Sequence, residues 1–121
     1  MTRILIIDDD VDAGEDIATL LRAAGHSEVR VTNSGKAALA LAAEFRPAAV
    51  LMDLGLRDMG AYDVARLLSQ HPDLQNLQII ALTKGGEHPA REHARESGFQ
   101  RYLLKPISSV ALAALLPSDL P

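Results

Sequence analysis

The fold is decided by the stretch Ile4-Leu5-Ile6-Ile7-Asp8-Asp9-Asp10, in which four apolar residues run directly into three carboxylates. The pattern recurs along the chain: Ala48-Ala49-Val50-Leu51-Met52 runs into Asp53, Leu77-Gln78-Ile79-Ile80-Ala81-Leu82 into Thr83, and Tyr102-Leu103-Leu104 into Lys105-Pro106. Short apolar runs with polar boundaries are typical of buried parallel strands. Ligands of an open parallel sheet bind beyond the carboxyl ends of its strands. The pattern therefore predicts that side chains able to bind a metal ion and a phosphate group lie together in one crevice.

Segments with helical spacing lie between and after these strands, and each ends near a glycine or a proline. They are marked by Ile17, Leu20, Leu21 and Ala24 before Gly25; by Lys36 to Phe45 before Pro47; by Val64, Leu67 and Leu68 before Pro72; by Pro89 to Ser97 before Gly98; and by Ser108 to Leu116 before Pro117. A further short strand is predicted from Glu28 to Thr32. The order is therefore (βα) five times, an α/β doubly wound parallel sheet of five strands. Adjacency alone does not fix the strand order, but a shared crevice requires the first and third strands to be neighbours, as in the flavodoxin-like order 2-1-3-4-5.

The chain has 121 residues and a formal net charge of −4. This length suits one domain, which we place at residues 1–121 with a core from about residue 3 to residue 116. The acidic balance argues against direct nucleic-acid binding, and the absence of cysteine excludes disulfides and thiolate metal sites. No apolar stretch approaches the roughly 20 residues of a membrane span, and no basic-then-apolar leader precedes the first strand. We therefore expect a cytoplasmic protein without membrane insertion.

Clustering Asp8, Asp9 and Asp53 in one crevice has an electrostatic cost. At an effective dielectric constant of about 20, two like unit charges about 4 Å apart repel by about 4 kcal/mol. The cluster is therefore unfavourable unless one acid is protonated or a divalent cation lies among them. Mg²⁺ suits such a site because it favours oxygen ligands, keeps several waters and bridges carboxylates to phosphate oxygens. An aspartate beside such an ion is a competent nucleophile for phosphoryl transfer.

Taken in order, the strand-end residues resemble the receiver domain of two-component response regulators. The resemblance covers about Arg3 to Leu116, and the segment from Asp53 to Arg66 is most similar to receivers attached to hybrid histidine kinases. A single apolar run that ends in one of these polar residues is common by chance, whereas four such runs in this order form a specific signal. The resemblance implies a phosphoacceptor that is charged by a histidine kinase or a histidine phosphotransfer domain and then switches its partner interactions. Because few residues follow Leu116, we expect no effector domain. The chain would then be a stand-alone regulator or the receiver of a hybrid kinase, and we expect it to be a monomer or a weak dimer.

The resemblance also assigns roles to single residues. It implies that Asp53 accepts the phosphoryl group and that Mg²⁺ is bound by Asp9, Asp53 and the carbonyl of Gly55, with Asp8 acting mainly through water. Mg²⁺-dependent self-phosphorylation and autodephosphorylation are expected of such a signalling domain, which is not an enzyme in the ordinary sense.

Three residues on the later strand ends complete the implied site. Lys105 would pair with the phosphoryl group, and Thr83 would donate a hydroxyl hydrogen bond to it. Thr83 and Tyr102 are implied to form a switch that biases two conformations of the fourth helix, fifth strand and fifth helix.

Several positions depart from the usual receiver pattern. Arg57 stands where a proline is common, and Gly60-Ala61 replaces the frequent Asp-Gly. Lys84 follows Thr83 where receivers generally keep a small residue. The Lys84 ammonium either folds over the acids as a second cation or points to solvent, and the sequence leaves both open.

Other interpretations remain open at this stage. Asp8 and Asp9 could simply cap the following helix, and a haloacid-dehalogenase-like phosphatase would use an aspartate after its first strand, a threonine and a lysine. Two residues argue against the phosphatase: Asp12 stands where that family has Thr or Val, and Asp53 would have no role. A degenerate receiver that serves only as a docking module is the third possibility. The histidines show no metal spacing and are expected to be solvated or locally packed: His26, His71, His88 and His93.

Overall fold

The structure is a computed structural model that describes residues 2–85 and 91–116. Within these residues it has five strands: β1 (Arg3–Ile7), β2 (Glu28–Thr32), β3 (Ala49–Asp53), β4 (Gln78–Thr83) and β5 (Phe99–Leu104). The helices are α1 (Val11–Ala23), α2 (Gly35–Phe45), α3 (Ala61–Ser69), α4 (Arg91–Glu96) and α5 (Ser109–Leu115), with a 3₁₀ turn at Pro72–Leu74. The predicted helix start at Pro89 and the predicted stop at Pro117 lie outside the described residues.

The strands form one parallel sheet in the order β2-β1-β3-β4-β5, which confirms the predicted doubly wound fold and strand order. The register aligns the carboxyl ends of neighbouring strands. Ile7 of β1 pairs with Met52 of β3, and Thr83 of β4 pairs with Leu104 of β5. The residues that follow or end these strands therefore lie at the same edge of the sheet.

Both faces of the sheet are covered, as the alternation of side chains along a strand requires. One face packs against α2, α3 and α4, and its strand residues include Leu5, Ile7, Val50, Met52, Ile79 and Ala81. The other face packs against α1 and α5 with Ile4, Ile6, Leu51, Ile80 and Leu82. Each fully buried aliphatic side chain stabilises the fold by about 1.5–3 kcal/mol, so the strands form a rigid platform for the residues at their ends. Among the described residues, no helix has the length and apolarity that crossing a membrane requires.

The helix caps test one of the interpretations left open. The N-cap of α1 is Asp10, whose carboxylate accepts hydrogen bonds from the backbone N–H groups of Asp12 and Ala13. The interpretation of Asp8 and Asp9 as caps is therefore wrong, because the residue after them satisfies these donors. Ser108 caps α5 by accepting from the N–H of Ala111.

Two local differences from the sequence prediction have simple causes. β5 begins at Phe99 instead of Tyr102, because the exposed Gln100 and Arg101 interrupt its apolar run at the edge of the sheet. Leu67, one of the apolar residues that mark α3 in the sequence, is 47% exposed; the buried residues of that helix are Ala61, Val64, Ala65 and Leu68. Ala61 stands where receivers frequently have glycine, and its side chain packs in the core.

Candidate functional site

The innermost part of the site consists of Asp8, Asp53 and Lys105, which we call the inner cluster. Asp8 directly follows β1 and Asp53 ends β3, so the adjacent strands place both carboxylates at the same edge, where both are buried. Lys105 directly follows β5, and its Nζ lies 2.7 Å from Oδ2 of Asp8 and 3.7 Å from Oδ1 of Asp53. One ammonium group therefore serves two buried carboxylates.

Backbone N–H groups fix the orientation of these two acids. Oδ1 of Asp8 accepts a hydrogen bond of 2.9 Å from the N–H of Asp10, and Oδ1 of Asp53 accepts one of 3.3 Å from the N–H of Gly55. A Cβ at Gly55 would lie 3.5 Å from Oδ2 of Asp53. The glycine therefore leaves open the space next to the Asp53 carboxylate.

A second ion pair lies further out and joins Asp9 to Arg57. Nε of Arg57 lies 2.7 Å from Oδ2 of Asp9. The arginine side chain is 88% exposed and the aspartate side chain 23% exposed. We call this contact the outer pair. Arg57 thus places a positive charge against Asp9. The sequence suggested such a second cation only in Lys84.

Asp58 fixes the loop that carries Arg57. Its carboxylate accepts hydrogen bonds from the hydroxyl of Ser34 (2.9 Å) and from the backbone N–H groups of Gly35 (2.9 Å) and Lys36 (3.0 Å). These bonds, foremost that from the Lys36 N–H, lower the pKa of Asp58 from 3.8 to about 2. The carboxylate is consequently ionised at neutral pH and ties the loop after β3 to the first turn of α2.

A cavity of about 420 Å³ opens above the acids and is lined by Asp9, Asp10, Asp53, Gly55, Arg57 and Lys84. In the described part of the chain, no three His, Cys, Asp or Glu side chains converge closely enough to enclose a metal ion. Two carboxylates and one main-chain carbonyl nevertheless suit Mg²⁺, which takes few protein ligands and keeps several waters. The space left open by Gly55 beside Asp53 fits the same interpretation. The residues present therefore fit a magnesium site.

The predicted switch residues lie beside this site. The Thr83 hydroxyl is buried and donates a hydrogen bond of 3.3 Å to the carbonyl of Leu103, so in this state it is engaged with β5. Tyr102 is half-buried against the core face of α2, α3 and α4. Lys84 is exposed and lines the cavity, and its role toward the acids stays a prediction.

The described histidines are packed locally, as expected. His26 is buried and Nε2 lies 3.0 Å from the carbonyl of Leu116, while His71 accepts from the N–H of Asp73 at the 3₁₀ turn. His93 packs against the ring of Tyr62 at 4.5 Å between centroids. His88 lies outside the described residues.

Sequence reasoning missed two contributors, the Arg57–Asp9 contact and the anchor at Asp58. The replacement of a common proline by Arg57 was a visible signal that this loop is unusual. The contact itself was not predictable, because it depends on the path of a loop with no periodic pattern. Asp58 gave no signal, since it lies in a loop and its partners lie at the start of α2, far away in the sequence.

Comparisons with known proteins identify the family of the chain. The response regulator receiver domain family matches residues 4–116. The polar-differentiation response regulator DivK of Brucella anthropi is 31% identical over 105 residues, which cover 87% of this chain and 85% of DivK.

Solved structures give the same result. A protein from Chloroflexus aurantiacus, described as a response regulator, is 33% identical with a TM-score of 0.85 and covers 94% of this chain and 93% of its own. The receiver domain of a sensor histidine kinase from Pseudomonas aeruginosa, with a magnesium ion coordinated in its active site cleft, is 28% identical with a TM-score of 0.83. It covers 94% of this chain and 93% of its own. The chain therefore belongs to the response regulator receiver domain family of two-component systems.

Proposed function

We propose that Asp53 accepts a phosphoryl group from the phosphohistidine of a histidine kinase or a histidine phosphotransfer domain. A carboxylate oxygen of Asp53 attacks the phosphorus, the P–O bond forms, and the P–N bond breaks with the imidazole nitrogen keeping its electron pair. Loss of the group follows when water attacks the same phosphorus and the P–O bond to Asp53 breaks, which releases inorganic phosphate. The observation that carries this proposal is the position of Asp53, which is buried among charges yet lines the open cavity.

Lys105 supplies positive charge where the phosphoryl group would be attached. Its ammonium group is 3.7 Å from the Asp53 carboxylate and is held there by Asp8 at 2.7 Å. Phosphoryl transfer spreads negative charge over the equatorial oxygens, so a cation that is already in position stabilises the transition state without reorganisation. Asp8 therefore acts mainly by positioning Lys105, in addition to any contact with the metal through water.

We assign the metal site to Asp9, Asp53 and the carbonyl of Gly55, with Asp8 contributing through water. Bound there, Mg²⁺ would neutralise charge on the acids and on the phosphoryl oxygens. The support is the donor set around one cavity and the space that Gly55 leaves beside Asp53. Self-phosphorylation from small phosphodonors and autodephosphorylation both belong to this assignment.

Phosphorylation then acts on the surface through Thr83 and Tyr102. A phosphoryl group on Asp53 offers a stronger acceptor for the Thr83 hydroxyl than the Leu103 carbonyl that it contacts now. Movement of this hydroxyl frees the neighbouring β5, on which Tyr102 lies. The proposed switch is thus a change of hydrogen-bond partner that biases α4, β5 and α5.

The partner reaches Asp53 from the side of α1. A largely apolar cavity of about 430 Å³ is lined by Lys105 of the inner cluster and by residues of α1 and of the loop after β5, including Ile17, Leu20, Pro106 and Ile107. We propose that a histidine-bearing partner helix contacts this surface in the cytoplasm. We also propose that residues 1–121 are one receiver domain with its core at about 3–116, which the family match to residues 4–116 supports.

Burial argues against a phosphatase that uses Asp8 as its nucleophile. The Asp8 side chain is fully buried, and each of its oxygens has a hydrogen-bond donor, one from Lys105 and one from the N–H of Asp10. Asp53, in contrast, lines the open cavity. The inner cluster argues against a docking-only receiver, because its two acids and its lysine are all in place.

Intact-mass analysis tests the proposal. The protein is incubated with acetyl phosphate and Mg²⁺, and we expect wild type to gain one phosphoryl group and Asp53→Asn to gain none. Asp12→Asn, an equivalent change at an exposed residue of α1, serves as the matched control and should be phosphorylated like wild type. Equal phosphorylation of wild type and Asp53→Asn would refute the assignment of the acceptor.

A further inference from the structure

The outer pair places a cation of the protein on a carboxylate that the proposed function assigns to the metal. Nε of Arg57 contacts Oδ2 of Asp9 at 2.7 Å. Both residues line the same cavity as Asp53 and Gly55. An oxygen that accepts from the guanidinium is not available at the same time as an inner ligand of a divalent ion in the same direction. Arginine and the metal ion therefore compete for Asp9.

The geometry makes this contact exchangeable. The Arg57 side chain is 88% exposed, so leaving Asp9 returns the guanidinium to water without a large desolvation change. Lys105 in the inner cluster is only 15% exposed and bonds a carboxylate that has no exposed surface. A divalent ion that enters the cavity thus displaces Arg57 more easily than Lys105.

The backbone around Arg57 keeps its guanidinium close to Asp9. Asp58, the next residue, is bonded to Ser34, Gly35 and Lys36 at the start of α2. Because this anchor restrains the main chain of the loop, Arg57 exchanges between Asp9 and water by rotating its side chain only. The effective concentration of the guanidinium at Asp9 stays high even when the contact itself is weak.

We propose that Arg57 is a built-in competitor of the divalent cation at Asp9, which raises the metal concentration that this receiver needs. The proposal rests on the proposed function, since it takes Asp9 as a metal ligand. It is specific to this chain because it depends on an arginine where receivers commonly have proline. Asp58 acts as a positioning residue for Arg57 in this arrangement.

Binding of Mg²⁺ to the full chain, followed by amide chemical shifts at low salt, tests the competition directly. We expect Arg57→Gln to bind Mg²⁺ roughly two- to tenfold more tightly than wild type, the range of an ion pair near the surface. Arg57→Lys, which keeps the charge, should restore a large part of the weaker binding. Raising the concentration of monovalent salt should shrink the difference between wild type and Arg57→Gln, because screening weakens the outer pair.

Lys84→Gln is the matched control, since it removes another positive charge that lines the same cavity. A smaller gain in affinity for Lys84→Gln than for Arg57→Gln supports the proposal. Equal gains in both variants would overturn it, because they would show a general effect of charge rather than competition at Asp9. An unchanged dissociation constant in Arg57→Gln would also overturn it.

The double variant Asp9→Asn/Arg57→Gln connects the effect to Asp9. We expect it to bind Mg²⁺ no more tightly than Asp9→Asn alone, whereas additive tightening would contradict competition for this carboxylate. If wild type and Arg57→Gln both fail to bind Mg²⁺ while Asp53 is phosphorylated, the metal assignment and the competition fail together and the acceptor assignment stands. If wild type and Arg57→Gln bind Mg²⁺ with equal dissociation constants, the proposed function stands and only the role of Arg57 is refuted.

Discussion

The inner cluster and the outer pair contain ion pairs of the same length in very different surroundings. Lys105 to Asp8 and Arg57 to Asp9 both measure 2.7 Å. The first joins a side chain that is 15% exposed to one that is fully buried, while the second joins side chains that are 88% and 23% exposed. Two adjacent aspartates at the end of one strand are thus held by cations with very different freedom to leave.

The difference teaches that burial, not distance, decides what an ion pair does here. Breaking a buried pair leaves an uncompensated charge in a poorly solvated place, whereas an exposed pair exchanges with water and salt at little cost. The inner cluster is therefore expected to be a fixed part of the proposed phosphoacceptor site, and the outer pair to be a contact at its edge that other ions can replace. The predictions below separate the two.

The largest expected effect comes from Lys105→Met. Removal of the ammonium group leaves Asp8 and Asp53 buried without their cation, so the free energy of unfolding without added metal should fall by about 3 kcal/mol. Urea denaturation measures it. The double variant Asp8→Asn/Lys105→Met should recover part of the loss, because it removes the orphaned charge. A loss below about 1 kcal/mol would show that the inner cluster is not more tightly held than an exposed pair.

The anchor at Asp58 should produce an intermediate effect that depends on pH. Its folded-state pKa of about 2 lies below the ordinary value of 3.8, mainly because of the hydrogen bond from the Lys36 N–H. A depressed pKa contributes stability that is fully present above the unfolded-state pKa and is lost as the pH falls toward the folded-state pKa. The advantage of wild type over Asp58→Asn in melting temperature should therefore shrink between about pH 4 and about pH 2. Parallel curves for the two proteins across this range would contradict the role of Asp58 as an ionised anchor.

The smallest expected effect on stability comes from Arg57→Gln. An ion pair with an 88% exposed arginine contributes at most about 1 kcal/mol, and the contribution should vanish in about 1 M salt. Denaturation of wild type and variant at low and high salt measures it. A salt-independent loss as large as that of Lys105→Met would mean that the outer pair is as fixed as the inner cluster. The same variant should nonetheless change metal affinity, which distinguishes a structural from a competitive role.

The sequence predicted the sheet well because its central strands are buried along their whole length. In β3 every residue is buried, and in β1 every residue after Arg3, so the apolar runs stand out against the polar residues that end them. β5 was predicted too short for the opposite reason, since its edge position leaves Gln100 exposed within the strand. The convergence of Asp8, Asp53 and Lys105 was predicted from the shared carboxyl edge of the parallel strands, and their roles came from the resemblance to receiver domains.

The outer pair of Arg57 and Asp9 was less predictable because a loop positions Arg57. Arg57 was visible as an unusual residue, but its contact with Asp9 depends on how Asp58 ties the loop to α2. Lys84 was the more obvious second cation in the sequence, since it directly follows Thr83. The position of Lys84 in the sequence gave no indication of the Arg57 contact, because a long arginine side chain reaches Asp9 from a neighbouring loop.

Identification of the phosphorylated residue tests the central claim, that Asp53 is the acceptor, most directly. After phosphorylation by acetyl phosphate, the acyl phosphate is trapped by borohydride reduction and the protein is digested with trypsin. Cleavage after Arg3 and Arg22 gives a fragment that contains Asp8 and Asp9 together with three other aspartates, whereas cleavage after Lys36 and Arg57 gives a fragment in which Asp53 is the only aspartate. The account predicts the trapped product in the fragment that contains Asp53. A product in the fragment from Ile4 to Arg22 would contradict it.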